Sequence, residues 1–558
     1  MSDYRMLKKN LLVVLIILLL VVVGRIPGYG AEDSFPEKIP FEAYGVLVNS
    51  GGCLLFAPGG EMGLLLNLDE YGDFEAGDTV CVAGLLVMGC ATPCPDAIGC
   101  VEENSITDAD FYYSPMVPAQ VIISLLPDSP IDSLINLIDG FALDSLLGLS
   151  TYLVAFPDTF LVGFIIDFLE HHPDILFIQP NYLLELPEIH QISQSFPDQG
   201  QPTFLDGTEP ISFYTQPGVN VINSDTANMI VTGEGVVVAI IDNGLDFDHP
   251  LFENSLVGPL YDFIDFDTFP AETEGDLYGH GTFVAGLVRL ISPGAEIMPL
   301  RAFDSDGYGN AFTVSRAIYW AIDQGADIIN MSFGFESDNP IIAGAVEDAV
   351  EAGLILVAAA GNNSRAEIKY PAAYPEVLAV TSLDTLDYLA DFANCGPGLD
   401  VCAPGVNVYS SLAGEYFWGF WSGTSFSAPM ASGTIALVLE KVDSLIPAEM
   451  LQHIRLAAEQ ELQWGQVVPP DNQYGYGALD AFSAVLAWSR GDVNNSGDLD
   501  IADITHIIAY LYLGGPPPTP VEVLADCNCD GSFDIADITA IIRFLYLFGD
   551  DFRPCYPQ

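Results

Sequence analysis

Three residues of this chain have side chains that together could cleave an amide bond. Asp242 follows an apolar run at 236–241. His280 stands between two glycines, and Ser425 follows a Gly-Thr pair. Each residue alone is ordinary, because Asp, His and Ser often end strands or cap helices. Together they supply a nucleophile, a base that takes its proton and a carboxylate that holds the base, so they form a candidate catalytic triad.

The elements that must position these residues alternate along residues 212–488. This alternation predicts an α/β fold, a parallel sheet with helices on both faces. Active sites of such sheets form at the carboxyl ends of the strands, where Asp242 lies. The predicted strands are 235–241, 326–331 and 354–360, and the predicted helices are 282–290, 311–324 and 343–352.

Five ordered segments resemble the signature blocks of the subtilisin-like proteases, and the resemblance covers about half of the chain. Asp, His and Ser follow one another in the order found in that family. Residues 330–334 are similar to the strand that binds the substrate backbone, and residues 359–362 to the block that supplies an oxyanion-binding Asn. The other three blocks are DNG at 242–244, HGT at 280–282 and GTSFSAP at 423–429.

The resemblance implies a role for each matching residue. Ser425 attacks the scissile carbonyl, His280 carries the proton, and Asp242 orients His280. The side-chain amide of Asn362 and the backbone N–H of Ser425 bind the oxyanion. The implied residues of the substrate-binding strand are Ser332, Phe333 and Gly334.

Lys369 precedes Tyr-Pro in a block that, in this family, lies at the bottom of the first specificity pocket. Two interpretations stay open. The ammonium group reaches solvent along the pocket wall, or it selects substrates with Glu or Asp before the scissile bond by charge complementarity.

Residues 119–187 show a β-α-β-β-α-β order, which predicts a ferredoxin-like domain. This pattern resembles the inhibitory propeptide of subtilisin-like proteases. Glu185 and Glu188 lie near its expected end, which fits self-cleavage there by an enzyme that prefers acidic residues. A polar linker is predicted at 188–211.

An acidic twelve-residue loop occurs twice near the C-terminus, each time before a similar helix. Its repeated oxygen-bearing side chains and the glycine at position six suit calcium better than an ordinary acidic turn does. The predicted ligands are Asp492, Asn494, Ser496, Asp500 and Asp503 in the first loop, and Asp526, Asn528, Asp530, Asp534 and Asp537 in the second.

Residues 490–550, with these two loops and their helices, resemble a dockerin domain. The resemblance implies a small α-helical calcium-binding domain and a cohesin-like scaffold partner. Loop positions ten and eleven, often polar recognition residues in that family, are Ile-Ala in both loops. This departure puts the cohesin partner in question and leaves the calcium prediction intact.

The N-terminus predicts export. Basic residues precede an apolar run at 11–23, and small residues follow it, as in a signal peptide at 1–30. The run is short for a membrane span, which leaves an uncleaved anchor as the alternative. We expect a secreted or cell-surface protein with no stable membrane span after signal cleavage.

Ten cysteines fit an exported chain that forms disulfides. Five of them, Cys53, Cys81, Cys90, Cys94 and Cys100, fall in a segment at 40–112 whose short apolar runs predict a small all-β domain. Zinc is the alternative for this group, but no His accompanies it. We predict a local disulfide between Cys395 and Cys402. Cys527 and Cys529 would pair with each other or with Cys555.

The charge balance is strongly acidic, with 76 acidic and 15 basic residues and a net charge of −61. A nucleic-acid partner is therefore not expected, because phosphate contacts need clustered Lys and Arg. A solvated surface, adaptation to salt and calcium binding all remain as interpretations of the excess.

These observations predict a secreted serine endopeptidase that acts on proteins or peptides and needs no cofactor for its chemistry. It would be made as a self-processing zymogen and tethered by a calcium-bound tail. The alternative is a scaffold-associated binding protein whose protease fold is incidental.

Overall fold

The structure is a computed structural model, and the chain divides into two compact units. One unit comprises residues 1–115 and 157–161, and the other comprises residues 116–156 and 162–558. No helix in the described residues is both long and apolar enough to cross a membrane. The described residues are 38–50, 53–58, 63–66, 79–87, 97–108, 116–127, 129–138, 140–146, 148–157, 162–188, 203–204, 213–414, 418–442, 445–460, 470–496, 499–519 and 521–546.

The first unit contains five strands that close into a barrel in the order β1-β2-β3-β5-β4. Every pairing is antiparallel except that of β3 with β5. The all-β prediction is confirmed for this segment, while the pairing of its five cysteines lies outside the described side chains. The strands are β1 Lys38–Ser50, β2 Cys53–Pro58, β3 Gly63–Leu66, β4 Thr79–Val87 and β5 Ala97–Asp108.

A seven-stranded parallel sheet forms the centre of the second unit, in the order β12-β13-β11-β15-β16-β17-β18. Its middle strands are apolar and almost wholly buried, as strands covered on both faces must be. The predicted α/β architecture is confirmed. The strands are β11 Val237–Asp242, β12 Tyr261–Asp262, β13 Glu296–Arg301, β15 Ile328–Met331, β16 Ile355–Ala359, β17 Val377–Leu383 and β18 Val401–Pro404.

Helices cover this sheet. The long buried helix Thr424–Lys441 packs against the helix His280–Ile291 and against five of the strands. A small antiparallel sheet, β10 Thr203–Phe204, β19 Val408–Ser411 and β20 Trp418–Trp421, lies beside them. The helices are α3 Pro217–Ile222, α4 Ser224–Ala227, α5 His280–Ile291, α6 Ala311–Asp323, α7 Pro340–Glu351, α8 Thr424–Lys441, α9 Pro447–Ala457 and α10 Ala481–Ser489.

Residues 116–185 have the predicted β-α-β-β-α-β order and form an antiparallel sheet. The strand β7, rich in exposed residues, is the second of the four strands in this order. A fifth strand, β14 Tyr308–Asn310, joins this sheet beside β9. The other elements are β6 Met116–Leu125, α1 Ile131–Ile135, β7 Phe141–Leu146, β8 Thr151–Ala155, α2 Val162–Leu169 and β9 Ile175–Glu185.

Polar side chains of β9 bind this sheet to two helices of the central fold. The buried Asn181 accepts a hydrogen bond from the N–H of Phe312 at the start of α6, at 3.3 Å. Gln179 donates to Asn339, which precedes α7, at 3.0 Å. The first-turn N–H groups of a helix lack partners within the helix, so Asn181 satisfies one that would otherwise stay unpaired.

The cysteine predictions need correction. Cys395, Cys402 and Cys527 are free thiols, so the predicted Cys395–Cys402 disulfide is wrong. Cys402 lies in β18, and its thiol donates a hydrogen bond to the Gly477 carbonyl at 3.1 Å instead of forming a disulfide. Cys529 is disulfide-bonded, which excludes its pairing with the free Cys527. Cys555 lies outside the described residues, and its pairing with Cys529 stays a prediction.

The two repeats near the C-terminus each carry one helix, α11 Ile501–Leu513 and α12 Ile535–Tyr546. The helices pack on each other through Ile504, Ile507, Ile538 and Ile541, which are buried. Between them, a short 3₁₀ turn at Glu522–Ala525 buries Leu524 completely. The helical character predicted for this domain is confirmed.

Candidate active site

Asp242 and His280 meet at the carboxyl edge of the central sheet. Asp242 is the last residue of β11, and His280 is the first residue of α5. His280 Nδ1 lies 2.8 Å from Asp242 Oδ1, and neither residue is exposed. A carboxylate in this position fixes the ring orientation and stabilises a charged imidazole.

Asn243 fixes the distance between the strand and the helix that carry these two residues. Its side-chain amide donates to the Leu277 carbonyl at 2.8 Å and accepts from the Gly281 N–H at 2.9 Å. Both partners belong to the turn around His280. Sequence reasoning quoted Asn243 only as part of a motif, although its place directly after Asp242 was a usable signal.

Ser425 is the second residue of α8, so its own N–H is among those that have no partner inside the helix. Its hydroxyl donates to the Ser332 carbonyl at 3.1 Å, and the Ser332 hydroxyl donates to the Ser425 carbonyl at 2.8 Å. These two contacts join the start of α8 to the segment after β15. The predicted nucleophile and the predicted substrate-binding strand are therefore neighbours.

Asn362 follows β16 and points its amide nitrogen into the same space. Its Oδ1 accepts from the Thr424 N–H at 2.9 Å and from the Thr424 hydroxyl at 2.7 Å. With the oxygen held in this way, Nδ2 is left to donate toward the site. Thr424, which the sequence analysis did not single out, is thus the residue that orients the predicted oxyanion donor.

A side chain of the chain itself occupies the site. Glu188, which the sequence assigned to the start of a linker, is fully buried. Its Oε2 lies 3.1 Å from His280 Nε2, and its Oε1 accepts from Asn362 Nδ2 at 3.0 Å. Gly423 lies so close to Glu188 that a Cβ there would collide with the carboxylate. Glu188 therefore takes the position between base and oxyanion donor that a reacting carbonyl would need.

Two carboxylates flank His280. Burial favours the neutral ring, but the negative charges of Asp242 and Glu188 outweigh it and raise the pKa of His280 to about 10. His280 is therefore an imidazolium at neutral pH while Glu188 is in place. In this state the ring holds a proton on both nitrogens and has no lone pair to act as a base.

The residues before Glu188 run through a cleft as an added strand. Glu185 pairs antiparallel with Gly334 on one side and with Tyr308 on the other. The N–H of Leu186 donates to the Gly307 carbonyl at 3.0 Å. The next residue, Pro187, has no N–H and cannot continue the ladder. An extended peptide therefore binds between β14 and the predicted strand at Ser332–Gly334.

Lys369 lies beside this cleft and is 6% exposed. Its aliphatic stem passes within 3.1 Å of where a Cβ of Gly334 or of Gly361 would be, so it lies between the cleft edge and the residue before Asn362. Its ammonium is 3.2 Å from the Glu336 carboxylate, which also accepts from Arg365 at 2.8 Å. The sequence analysis missed Glu336.

The two acidic loops have matching internal contacts. Asp503 accepts from the N–H groups of Val493 and Asp500, at 3.0 and 2.9 Å. Asp537 accepts in the same way from Asn528 and Asp534. Burial raises the pKa of both carboxyl groups. The loops thus fold around their position-twelve side chains.

The donor chemistry of these loops fits calcium, since every predicted ligand offers oxygen. In the described part of the chain, no three acidic, His or Cys side chains converge on one point. Cations instead face the position-one carboxylates: Lys441 lies 3.6 Å from Asp492, and Arg490 lies 3.4 Å from Asp526. Gly497 and Asp498 lie outside the described residues.

Two segments of the chain match known protein families. Residues 233–477 match the subtilase family, and residues 490–546 match the dockerin type I domain. A thermophilic serine proteinase of Bacillus sp. strain AK1 is 31% identical over 329 residues, which span 57% of this chain and 74% of that protein. The halolysin-like extracellular serine protease Nep of Natrialba magadii is 33% identical over 45% of this chain and 48% of its own length.

Among solved structures, fervidolysin of Fervidobacterium pennivorans, described as a keratinolytic enzyme related to subtilisin, has the same fold. The TM-score is 0.58 and the identity 22%, over 67% of this chain and 62% of fervidolysin. The sheet whose carboxyl edge carries Asp242 therefore belongs to a fold that is known from a solved structure.

Proposed function

Because the chain belongs to the subtilase family, we propose that it is a secreted serine endopeptidase with Asp242, His280 and Ser425 as its catalytic triad. The observation that carries this proposal is the meeting of four groups at one sheet edge. They are the buried Asp242–His280 pair, the helix start at Ser425 and the oriented amide of Asn362. The family and the dockerin match support a protease with a dockerin tail.

The proposed reaction begins when Glu188 leaves His280, the ring releases its Nε2 proton to solvent, and a substrate carbonyl takes the place of Glu188. Ser425 Oγ forms a bond to the carbonyl carbon as its proton moves to His280 Nε2. Asn362 and the Ser425 N–H bind the oxyanion at the positive end of α8. His280 then protonates the leaving amine as the C–N bond breaks, and water hydrolyses the acyl-enzyme by the reverse proton path.

We propose that the described state is the inhibited zymogen. The segment from Leu183 to Glu188 fills the cleft like a substrate, but it presents a side-chain carboxylate to the catalytic groups. A carboxylate is already an anion and offers no carbonyl for attack. The contact between Glu188 and the His280 imidazolium thus supports inhibition in two ways. Glu188 occupies the site, and it keeps His280 protonated, so the ring cannot act as a base.

The pocket beside Gly334 supports the proposed preference for acidic residues before the scissile bond. Two cations, Lys369 and Arg365, share the single carboxylate of Glu336, so the cluster keeps a net positive charge. A substrate carboxylate that enters between Gly334 and Gly361 would reach Lys369 in a largely buried setting.

The tail completes the proposal. When calcium is bound, it would draw the loop oxygens together and fix the orientation of α11 and α12. Ile501 and Ile535, at loop position ten, are exposed on these helices. Their apolar side chains favour an apolar partner surface, unlike the polar residues that are often found at these positions. We propose a cohesin-like scaffold protein with such a surface.

The triad can be tested with Ser425→Ala. We expect wild type to lose its N-terminal region and hydrolyse casein, and the variant to stay full length with at least a roughly 10⁴-fold lower rate. Intact mass and casein hydrolysis in calcium measure both. If wild type is also full length and inert across a range of salt, the scaffold-associated binding role replaces the enzyme proposal.

The zymogen contact can be tested with Glu188→Gln. Bound Glu188 raises the pKa of His280 to about 10, so binding of Glu188 is strongest below the pKa that the ring has without it. Above that pKa, the equilibrium constant for binding of Glu188 falls about tenfold per pH unit up to pH 10. The delay before peptide hydrolysis should therefore shorten with rising pH in wild type. In Glu188→Gln it should be short at every pH, because a neutral amide does not stabilise the imidazolium.

Glu185→Gln is the matched control for that experiment. Its side chain belongs to the same segment, two residues before Pro187, but the contacts with His280 and Asn362 are made by Glu188. A wild-type delay that is constant from pH 7 to 10 would contradict the proton-linked release.

The pocket can be tested with Lys369→Met, which keeps the aliphatic stem and removes the charge. Wild type should cleave after Glu faster than after Leu or Phe by roughly 10- to 150-fold, since hydrogen bonds to charged groups contribute about 1.5–3 kcal/mol. The variant should reverse this order, while Arg365→Met, at a more exposed position, should change it little. Equal wild-type rates on the three substrates would refute the preference.

Calcium binding by the tail can be tested through stoichiometry. Asp503→Ala and Asp537→Ala should each remove one calcium from the full chain, and the double variant should remove two. Calorimetric titration measures the difference independently of any site elsewhere. An unchanged stoichiometry in both single variants would exclude these loops as calcium sites.

A further inference from the structure

Glu272 lies in the loop between β12 and α5, outside the five signature segments but within residues 233–477, which match the subtilase family. Its carboxylate accepts from the N–H of Gly279 and, at 2.6 Å, from the N–H of Thr282. These two residues bracket His280. Because the first N–H groups of a helix have no partner within it, one carboxylate here fixes the turn that carries the catalytic base.

The backbone of the same residue reaches the segment that follows β11, the strand that ends at Asp242. The N–H of Glu272 donates to the Leu245 carbonyl at 3.2 Å, and the Leu245 N–H donates to the Pro270 carbonyl at 3.0 Å. The next residue, Asp246, donates its N–H to the Thr282 hydroxyl at 2.8 Å. Glu272 thus links the turn that carries His280 to the segment that follows Asp242.

The carboxyl group of Glu272 is also electrostatically unusual. Burial raises its pKa to about 8, against the lowering effect of the donors on Thr282 and Gly279, and the charge of Asp242 raises it further. The charges of Asp246, Glu272 and Glu274 act on the neighbouring Tyr278, and Arg301 donates a hydrogen bond to Thr273, the residue after Glu272. Glu272 therefore keeps its proton to a higher pH than an ordinary carboxyl group does.

We infer that Glu272 is a positioning residue of the triad, which holds His280 in register with Asp242 and adds negative charge near the imidazolium when it ionises. Asn243 joins the same turn to the strand from the other end, through Leu277 and Gly281. The inference rests on the proposed peptidase activity. It adds a charge-dependent function to a loop carboxylate that would otherwise serve as a helix cap.

The test compares processed wild type with Glu272→Gln, Glu272→Ala and the control Glu274→Gln, an exposed neighbour on the same loop. kcat and KM for one peptide substrate are measured from pH 6 to 10, with the thermal unfolding midpoint of each protein. Glu272→Ala should lower kcat by about 10- to 100-fold with KM within twofold, because it releases the turn that carries His280.

Glu272→Gln mimics the uncharged carboxyl and decides the electrostatic part. Wild type and Glu274→Gln should show a several-fold rise in kcat through pH 8, and Glu272→Gln should lack it. Parallel pH profiles of kcat for wild type and Glu272→Gln would overturn the inference. This comparison does not use Glu272→Ala, so it still decides the question if that variant fails to fold. An inert wild type would instead overturn the proposed function.

Discussion

The structure depends on one buried hydrogen bond, between Asp242 at the end of β11 and His280 at the start of α5. A carboxylate and an imidazole gain from each other in the interior only when their geometry is held, because removal of both from water is costly. Several contacts hold it. Asn243 and Glu272 bind the turn of His280 from two directions, and Leu245 links Glu272 to the segment that follows β11.

Glu188 changes the charge of this centre. With Glu188 in place, an imidazolium lies between two carboxylates, and both of them stabilise the protonated ring at neutral pH. The loss of one partner of such a buried set typically costs about 3–5 kcal/mol unless another group replaces it. In the proposed mechanism, a substrate carbonyl held by Asn362 and by the helix start at Ser425 replaces the lost partner. The proposed inhibited and reactive states would therefore compete for the same donors.

The tail is joined to the catalytic domain through charge as well as through the chain. Lys441, the last residue of α8, faces Asp492, the first position of the first acidic loop. The helix that carries Ser425 in its first turn thus ends at the predicted calcium site. An ion at that loop would compete with Lys441 for Asp492, which gives the two parts of the molecule a shared contact.

The sequence by itself determined the architecture and the candidate triad. The apolar runs before Asp242 and before Asn362 specify buried parallel strands, and the acidic repeats specify paired loops, because period and composition act locally. It misjudged Cys395 and Cys402, since spacing along the chain does not report the direction in which β18 points a thiol. Only the tertiary structure decided that Glu188 reaches His280, that Thr424 orients Asn362 and that Glu272 binds the turn of His280. These contacts join residues 7 to 174 positions apart for Glu272 and Glu188, or depend on side-chain direction, as at Thr424, and neither property has a local pattern.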